Sequence, residues 1–369
     1  MSAYKSPIES WWVLPGFKIE LVATGLDLPV NLAFVPEPDS ESTAPLLYVT
    51  ELYGQVKVIT NDWKVHTYAD NLLNYEPDHR FPGTGESGVT GLCIEPNTGD
   101  LFLSMIYEDK GETKGKVVRT SSKDGLKVES MQTVIEDIRS VKAAHQIQAV
   151  TIGSDGKLYV NVGDGMIEPE VAQDDNDLRG KILRINLDGS IPEDNPNSAS
   201  LVYAKGLRNP FGAAWRKSDQ TLFISDNGPN QDDRIAKVEA GKNYGWPETM
   251  RQNSLFWWEF TQAPTAIGFM QAGQFPADYD DELFVALFGA SYQKGRAIKG
   301  KKIVKIRLNE NDSGISSYDE FVTYIGEGPA SPCGLAFGPD GLYFTDLHGG
   351  KNGLTKMPSG NIFRVSVRE

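Results

Sequence analysis

A unit of small residue, alternating apolar strand, tight turn and second strand recurs six times along the 369 residues. The copies begin at Asn31, Gly91, Ala149, Gly212, Gly268 and Gly334, at spacings of 60, 58, 63, 56 and 66 residues. Clear copies read GLCIEPNTGDLFLSM, AVTIGSDGKLYVNVGD and GLAFGPDGLYFTD, and the fifth, GFMQAGQFPADYDDELFVALFG, is the weakest. Turns such as Ser154-Asp155-Gly156 and Pro339-Asp340-Gly341 make each copy a hairpin. A third strand follows every hairpin (GQVKVIT, GKVVRT, GKILRI, DRIAKV, KKIVKI, GNIFRV), and a fourth follows most of them. Four antiparallel strands repeated six times predict an all-β, six-bladed β-propeller, in which radial closure hides the sheet edges. A solenoid has shorter repeats and does not lend one terminus to the other. Here the last copy stops after its third strand, Arg364–Val367, and an orphan strand, Phe17–Val22, precedes the first copy. That strand is expected to close the ring, so residues 1–369 read as one propeller domain with residues 1–16 as an N-terminal extension.

Composition narrows the function classes. The formal charge is −14 with no basic tract, which argues against a partner held by its phosphate backbone. No apolar run reaches eighteen residues, so no membrane-spanning helix is expected. The opening MSAYKSPIESWW lacks the basic-then-apolar build of a signal peptide, consistent with a cytoplasmic protein or with a mature form carrying a start methionine. Cys93 and Cys333 are expected to be two buried thiols rather than a disulfide.

Chemistry in a propeller gathers at a channel mouth, so the informative segments are those that break the repeat beside an inner strand. His145, in Ala143-Ala144-His145-Gln146, stands just before the third inner strand. A neutral imidazole there could serve as general base or simply cap the strand. Asp164, in Gly163-Asp164-Gly165, could orient that histidine or fill a turn. Arg208, in GLRNPFG, is suited to an anionic ligand or to loop carbonyls. The loop Ser225–Asp233, with Asn243–Pro247 behind it, offers carboxylates, amides and carbonyls of the kind hard cations take. Glu86, in Gly85–Gly88, puts a carboxylate at the mouth or in solvent. Trp11-Trp12 and Trp257-Trp258 read as packing, and Asp174–Asp177 as a solvated loop. GxSxG, Walker and HExxH arrangements are missing from the sequence, which removes support for the corresponding hydrolase, NTPase and zinc readings.

In order along the chain, GESGVTGL, HQ followed by IGSDGKLYVNVGDG, LRGKILRINLDGSIPEDNP, YAKGLRNPFGAAW and DNGPNQDD…GKNYGWP resemble the soluble quinoprotein glucose/sorbosone dehydrogenase family, which includes the aldose sugar dehydrogenases. The resemblance implies pyrroloquinoline quinone (PQQ) and Ca2+ as cofactors, and oxidation of a sugar or polyol hydroxyl, aldose to lactone. By motif, His145 would take the hydroxyl proton and Asp164 would orient it. Arg208 and Asn209 would sit at the quinone oxygens, Glu86 and Gln146 at the cofactor, and the carbonyls of Gly228 and Pro229 on its calcium. The family is largely exported, although this chain shows no signal.

The sequence also departs from the family. Where glucose dehydrogenases carry arginines before the sixth inner strand, it has Ala330-Ser331-Pro332-Cys333. A family lysine after the fifth blade's second strand has only loose counterparts in Lys294 and Arg296, within a cationic stretch that continues through Lys299, Lys301 and Lys302. Two further readings therefore stay open: a calcium-dependent lactonase using Glu86 and Asp226 with Asn209 or Asn230, and a non-catalytic propeller that binds a ligand or partner. The expected partner is a small sugar or polyol; the electron acceptor is not legible.

Overall fold

A computed structural model describes residues 7–77, 86–140, 144–271, 273–289, 295–347 and 359–368. Six four-stranded antiparallel sheets follow one another around a central channel, so the chain is a six-bladed β-propeller. Among the described residues the helical content is three short 3₁₀ turns. The inner strands are Pro29–Phe34, Val89–Ile94, Ile147–Ile152, Pro210–Arg216, Pro264–Phe269 and Pro332–Gly338.

The ring closes as the repeat arithmetic requires. Phe17–Leu26 pairs with the last strand, Gly360–Val367, in the register Glu20↔Arg364. An ion pair at 3.0 Å joins the same two residues across the seam. Part of the expected extension is structured as well: Trp11–Val13 adds a fifth strand to blade five through Trp11↔Tyr324. Trp11 is buried, with edge-on contacts to Tyr324, Phe344 and Phe363 at 5.1, 5.2 and 6.0 Å. Aromatic packing explains why this segment is held on the fold.

The small residue that opens several copies has a steric cause. A Cβ on Gly91 would lie 2.3 Å from the Gln148 carbonyl oxygen, and one on Gly212 would lie 2.8 Å from Ser225 Oγ. Adjacent inner strands converge too closely there for a side chain. The hydroxyls of Ser104, Ser225 and Thr345 on the second strands accept the N–H groups of Gly91, Gly212 and Gly334 at 2.7, 3.0 and 2.8 Å. Second and third strands alternate their apolar residues into the seams between blades. One seam packs Phe102, Val117, Leu158, Val160 and Leu183; another packs Phe223, Ile235, Leu283, Val285 and Val304. Both cysteines are free thiols: Cys333 is buried, and Cys93 is partly buried.

Candidate active site

The channel opens into a cavity of about 590 Å³ whose polar lining is concentrated in Glu86, His145, Gln148, Arg208, Asn209 and Asn227. Its remaining wall is largely apolar, with Leu32, Val150, Ile267, Phe288, Leu335 and Leu347 among the lining side chains. The polar residues come from the inner strands of blades two, three and four, the segments leading into them and the end of blade four's second strand, so they depend on blade-to-blade packing for their mutual geometry.

His145 is buried and adopts a left-handed backbone conformation, φ +50°. A β-carbon makes that region costly, by roughly 1–2 kcal/mol, so surrounding contacts must hold it. Gly165 N–H donates to its carbonyl at 3.0 Å, and its own N–H donates to Glu86 Oε2 at 2.9 Å. Its Nδ1 lies 2.6 Å from Asp164 Oδ1. With the aspartate ionised, Nδ1 carries the hydrogen and Nε2 keeps its lone pair. Asp164 is itself fixed: Met166 N–H donates to Oδ1 at 2.8 Å, and Trp246 Nε1–H donates to Oδ2 at 2.7 Å.

Arg208 also lines the cavity, its carbonyl accepting the Asp164 N–H at 2.8 Å. Its Nη1 donates to the carbonyls of Asn227 and Gly228 at 3.0 and 2.8 Å, and its guanidinium lies 5.4 Å from the Trp246 ring centre. Nε–H and Nη2–H have no partner among the described residues, which leaves donors for a ligand. Burial pulls its pKa down from the ordinary arginine value, while Asp164, Asp226, Glu86 and Asp233 oppose that shift.

Behind Arg208 lies a buried support. Asp226 and Arg234 form a fully buried ion pair at 2.7 Å. Asp226 Oδ1 accepts Asn209 N–H at 2.7 Å, and Arg234 donates to the carbonyls of Gly206, Tyr244 and Met250. Asp233 accepts Gly228 N–H at 2.8 Å, and its other oxygen accepts Thr261 Oγ1–H, Gln262 N–H and Ala263 N–H. These buried carboxylates organise loops, and Asp226 is not among the cavity-lining residues.

Glu86 is half-buried. It accepts from three neutral donors: His145 N–H, Gln148 Nε2 at 3.2 Å, and Asn209 Nδ2 at 3.3 and 3.4 Å. Burial pushes its pKa up, against the lowering effects of His145, Asn209 and Arg208.

The structure thus brings together His145, Asp164, Glu86, Arg208, Asn209 and Gly228. Gln146 is buried outside the cavity lining, with its side-chain nitrogen and oxygen both unpartnered. The left-handed turn at His145 and a register shift between Ile147 and Val150 put Gln148 at the cavity instead. Pro229 and Arg296 are exposed and do not line the cavity, and Lys294 lies outside the described residues. Asn230 is exposed too. Cys333, from the segment that lacks the family's arginines, lines the wall. Sequence reasoning assigned no role to Gln148 or Trp246. Trp246 carried a signal, since it sits in the motif GKNYGWP.

The family model for glucose/sorbosone dehydrogenases matches residues 26–314. The chain belongs to this family. It is 24% identical to aldose sugar dehydrogenase YliI of Escherichia coli K12, over 97% of this chain and 95% of that protein. It is 29% identical to quinoprotein glucose dehydrogenase B of Acinetobacter calcoaceticus, over 63% of this chain and 52% of that one. The solved structure of an oxidoreductase (glucose dehydrogenase) from Thermus thermophilus superposes with a TM-score of 0.76 at 25% identity, covering 95% of this chain and all of the other. Family and fold together support a PQQ-dependent sugar-dehydrogenase type of function in general.

The residues present fit that cofactor at its reactive end. Arg208 has unspent donors, the buried Oδ1 atoms of Asn209 and Asn227 are unpartnered, and the Gly228 carbonyl keeps a second lone pair beside its bond to Arg208. Among the described lining residues Arg208 is the one lysine or arginine.

Proposed function

We propose that this protein oxidises the CH–OH group of a sugar or polyol, aldose to lactone, with His145 as general base. The observation that carries the reading is the His145–Asp164 pair at 2.6 Å, set at the cavity with Nε2 left as acceptor. Oxidising an alcohol removes a hydride from carbon and a proton from oxygen. PQQ, when bound with Ca2+, supplies the two-electron hydride acceptor. The chain must supply the proton acceptor, and His145 Nε2 takes the hydroxyl proton. Asp164 holds the productive tautomer and stabilises the imidazolium that results. Arg208 and Asn209 would hold the cofactor's quinone oxygens, with charge placed where negative charge develops. The Gly228 carbonyl would help hold its calcium, whereas Pro229, the other ligand that the motif implies, lies outside the cavity lining. Glu86 positions the His145 backbone through the 2.9 Å bond.

The test is reconstitution of the purified chain with PQQ and Ca2+. Quinone absorbance should shift on binding, and aldoses should then reduce a dye. Absence of binding at micromolar quinone would overturn the reading, as would binding without dye reduction across a panel of aldoses and polyols.

A further inference from the structure

Inner strands begin at the active-site cavity and end at the opposite face of the ring, where a second cavity of about 500 Å³ opens. Its wall is mostly apolar and comes from the far ends of five inner strands, through Ile94, Ile152, Trp215, Phe269 and Phe337. All but Phe269 are only partly buried, so the fold leaves apolar surface open at this mouth. Tyr159 meets the Trp215 ring edge-on at 5.1 Å, which fixes the indole as a rigid part of the wall. Cys93, Ile94, Thr151, Ile267 and Leu335 line both cavities, so the second one continues into the channel. The charge at this mouth runs against that of the chain. No carboxylate lines it, although the formal charge is −14, and Lys217 is its one charged lining residue. Glu95, Asp155 and Asp219 adjoin lining residues in sequence and are already engaged. Glu95 accepts the Asn97 and Thr98 N–H groups, Asp155 pairs with Arg184, and Asp219 pairs with Arg216. Lys217 is exposed and donates once, to Gln271 Oε1 at 2.7 Å; among the described residues no carboxylate pairs with it.

We infer that this rear mouth is a binding site for a small anionic amphiphile, with its carboxylate or sulfonate at Lys217 and its apolar body among Ile94, Ile152, Trp215 and Phe337. Ligand cavities combine this size with an apolar, aromatic wall and a few polar groups that fix orientation. A cationic ligand would meet Lys217 as a like charge, and a sugar would set its hydroxyls against apolar side chains. An anionic head instead takes the unspent donors of the ammonium in a charge-assisted hydrogen bond. The site lies beyond the proposed dehydrogenase chemistry and does not depend on it.

The test is fluorescence titration of the full chain with anilinonaphthalene sulfonate (ANS) and with phenylnaphthylamine, the same ring system without the sulfonate. A single saturable ANS site is expected, with a Kd of about 10⁻⁵–10⁻⁴ M at the efficiency usual for ligands of that size. Lys217→Glu should weaken ANS binding by about tenfold or more and leave phenylnaphthylamine almost unchanged, whereas Lys217→Arg should keep both. Ile152→Glu, its fold verified by a melting curve, should weaken both dyes. Arg208→Gln, in the active-site cavity, should change neither. Wild-type ANS affinity in Lys217→Glu, or in a folded Ile152→Glu, would overturn the assignment. Loss of ANS binding in Arg208→Gln would overturn it too, by putting the dye in the active-site cavity. No saturable ANS binding by the wild-type chain would overturn it as well.

Discussion

Replacing Trp246 with phenylalanine tests whether the histidine is positioned by a relay. Asp164 is 1% exposed, and its Oδ2 accepts the Trp246 indole N–H at 2.7 Å while Oδ1 holds His145 and the Met166 amide. Phenylalanine fills most of the space and keeps a ring beside Arg208, but it removes the donor. A buried carboxylate then loses one charge-assisted hydrogen bond, worth about 1.5–3 kcal/mol. If that loss falls on the geometry of the relay in the transition state, kcat drops by roughly ten- to a hundredfold, at about 1.4 kcal/mol per decade. KM for the sugar should change little, because Trp246 is not among the cavity-lining residues. Steady-state dye reduction gives the rate constants. Nitrogen NMR of the His145 ring gives its tautomer populations independently of turnover, with loss of the pure Nδ1–H form expected. Wild-type kcat together with an unchanged tautomer signal would refute the relay.

Three further outcomes follow from the same geometry. Asp164→Asn should leave the fold intact but lower kcat by about 10²–10⁴, since an amide no longer enforces one tautomer; parallel melting curves check the fold. Arg234→Met should lower stability by about 3–5 kcal/mol in denaturant titration, because it strands the fully buried Asp226. In calcium-free buffer, Glu86→Gln should melt higher than wild type at alkaline pH. The Glu86 pKa is raised in the folded state, so its contribution is full below the ordinary glutamate value and is lost as pH rises through the raised one. The two melting curves should therefore converge toward acid pH, and a gap that persists there would contradict the sign.

Much of the fold was legible because closure of a propeller imposes two regularities on the chain, a period of two along each strand and about sixty residues between blades. The terminal strand exchange followed from counting strands in the sixth copy, and the pairing of Phe17–Leu26 with Gly360–Val367 bears it out. Trp11–Val13 was not anticipated as a strand, since three residues carry no periodicity and its burial depends on aromatics of blades five and six. Within the site, His145, Asp164 and Arg208 could be placed near the mouth because each interrupts the repeat beside an inner strand. Gln146 and Gln148 could not be told apart by sequence, because a left-handed residue and a shifted register decide which one faces the cavity. Asp226 looked like a coordinating carboxylate until its burial against Arg234 came into view. Contacts between blades, such as Trp246 on Asp164, leave no local pattern to read.

The central claim is that His145 removes the substrate's hydroxyl proton. The most direct measurement is dye reduction by wild type and His145→Ala, each loaded with PQQ and Ca2+ to equal occupancy judged by quinone absorbance. Turnover of the variant should fall by about 10²–10⁴ at matched occupancy, the share general-base catalysis commonly supplies. Turnover equal to wild type would contradict the assignment and shift the proton acceptor to another group in the cavity.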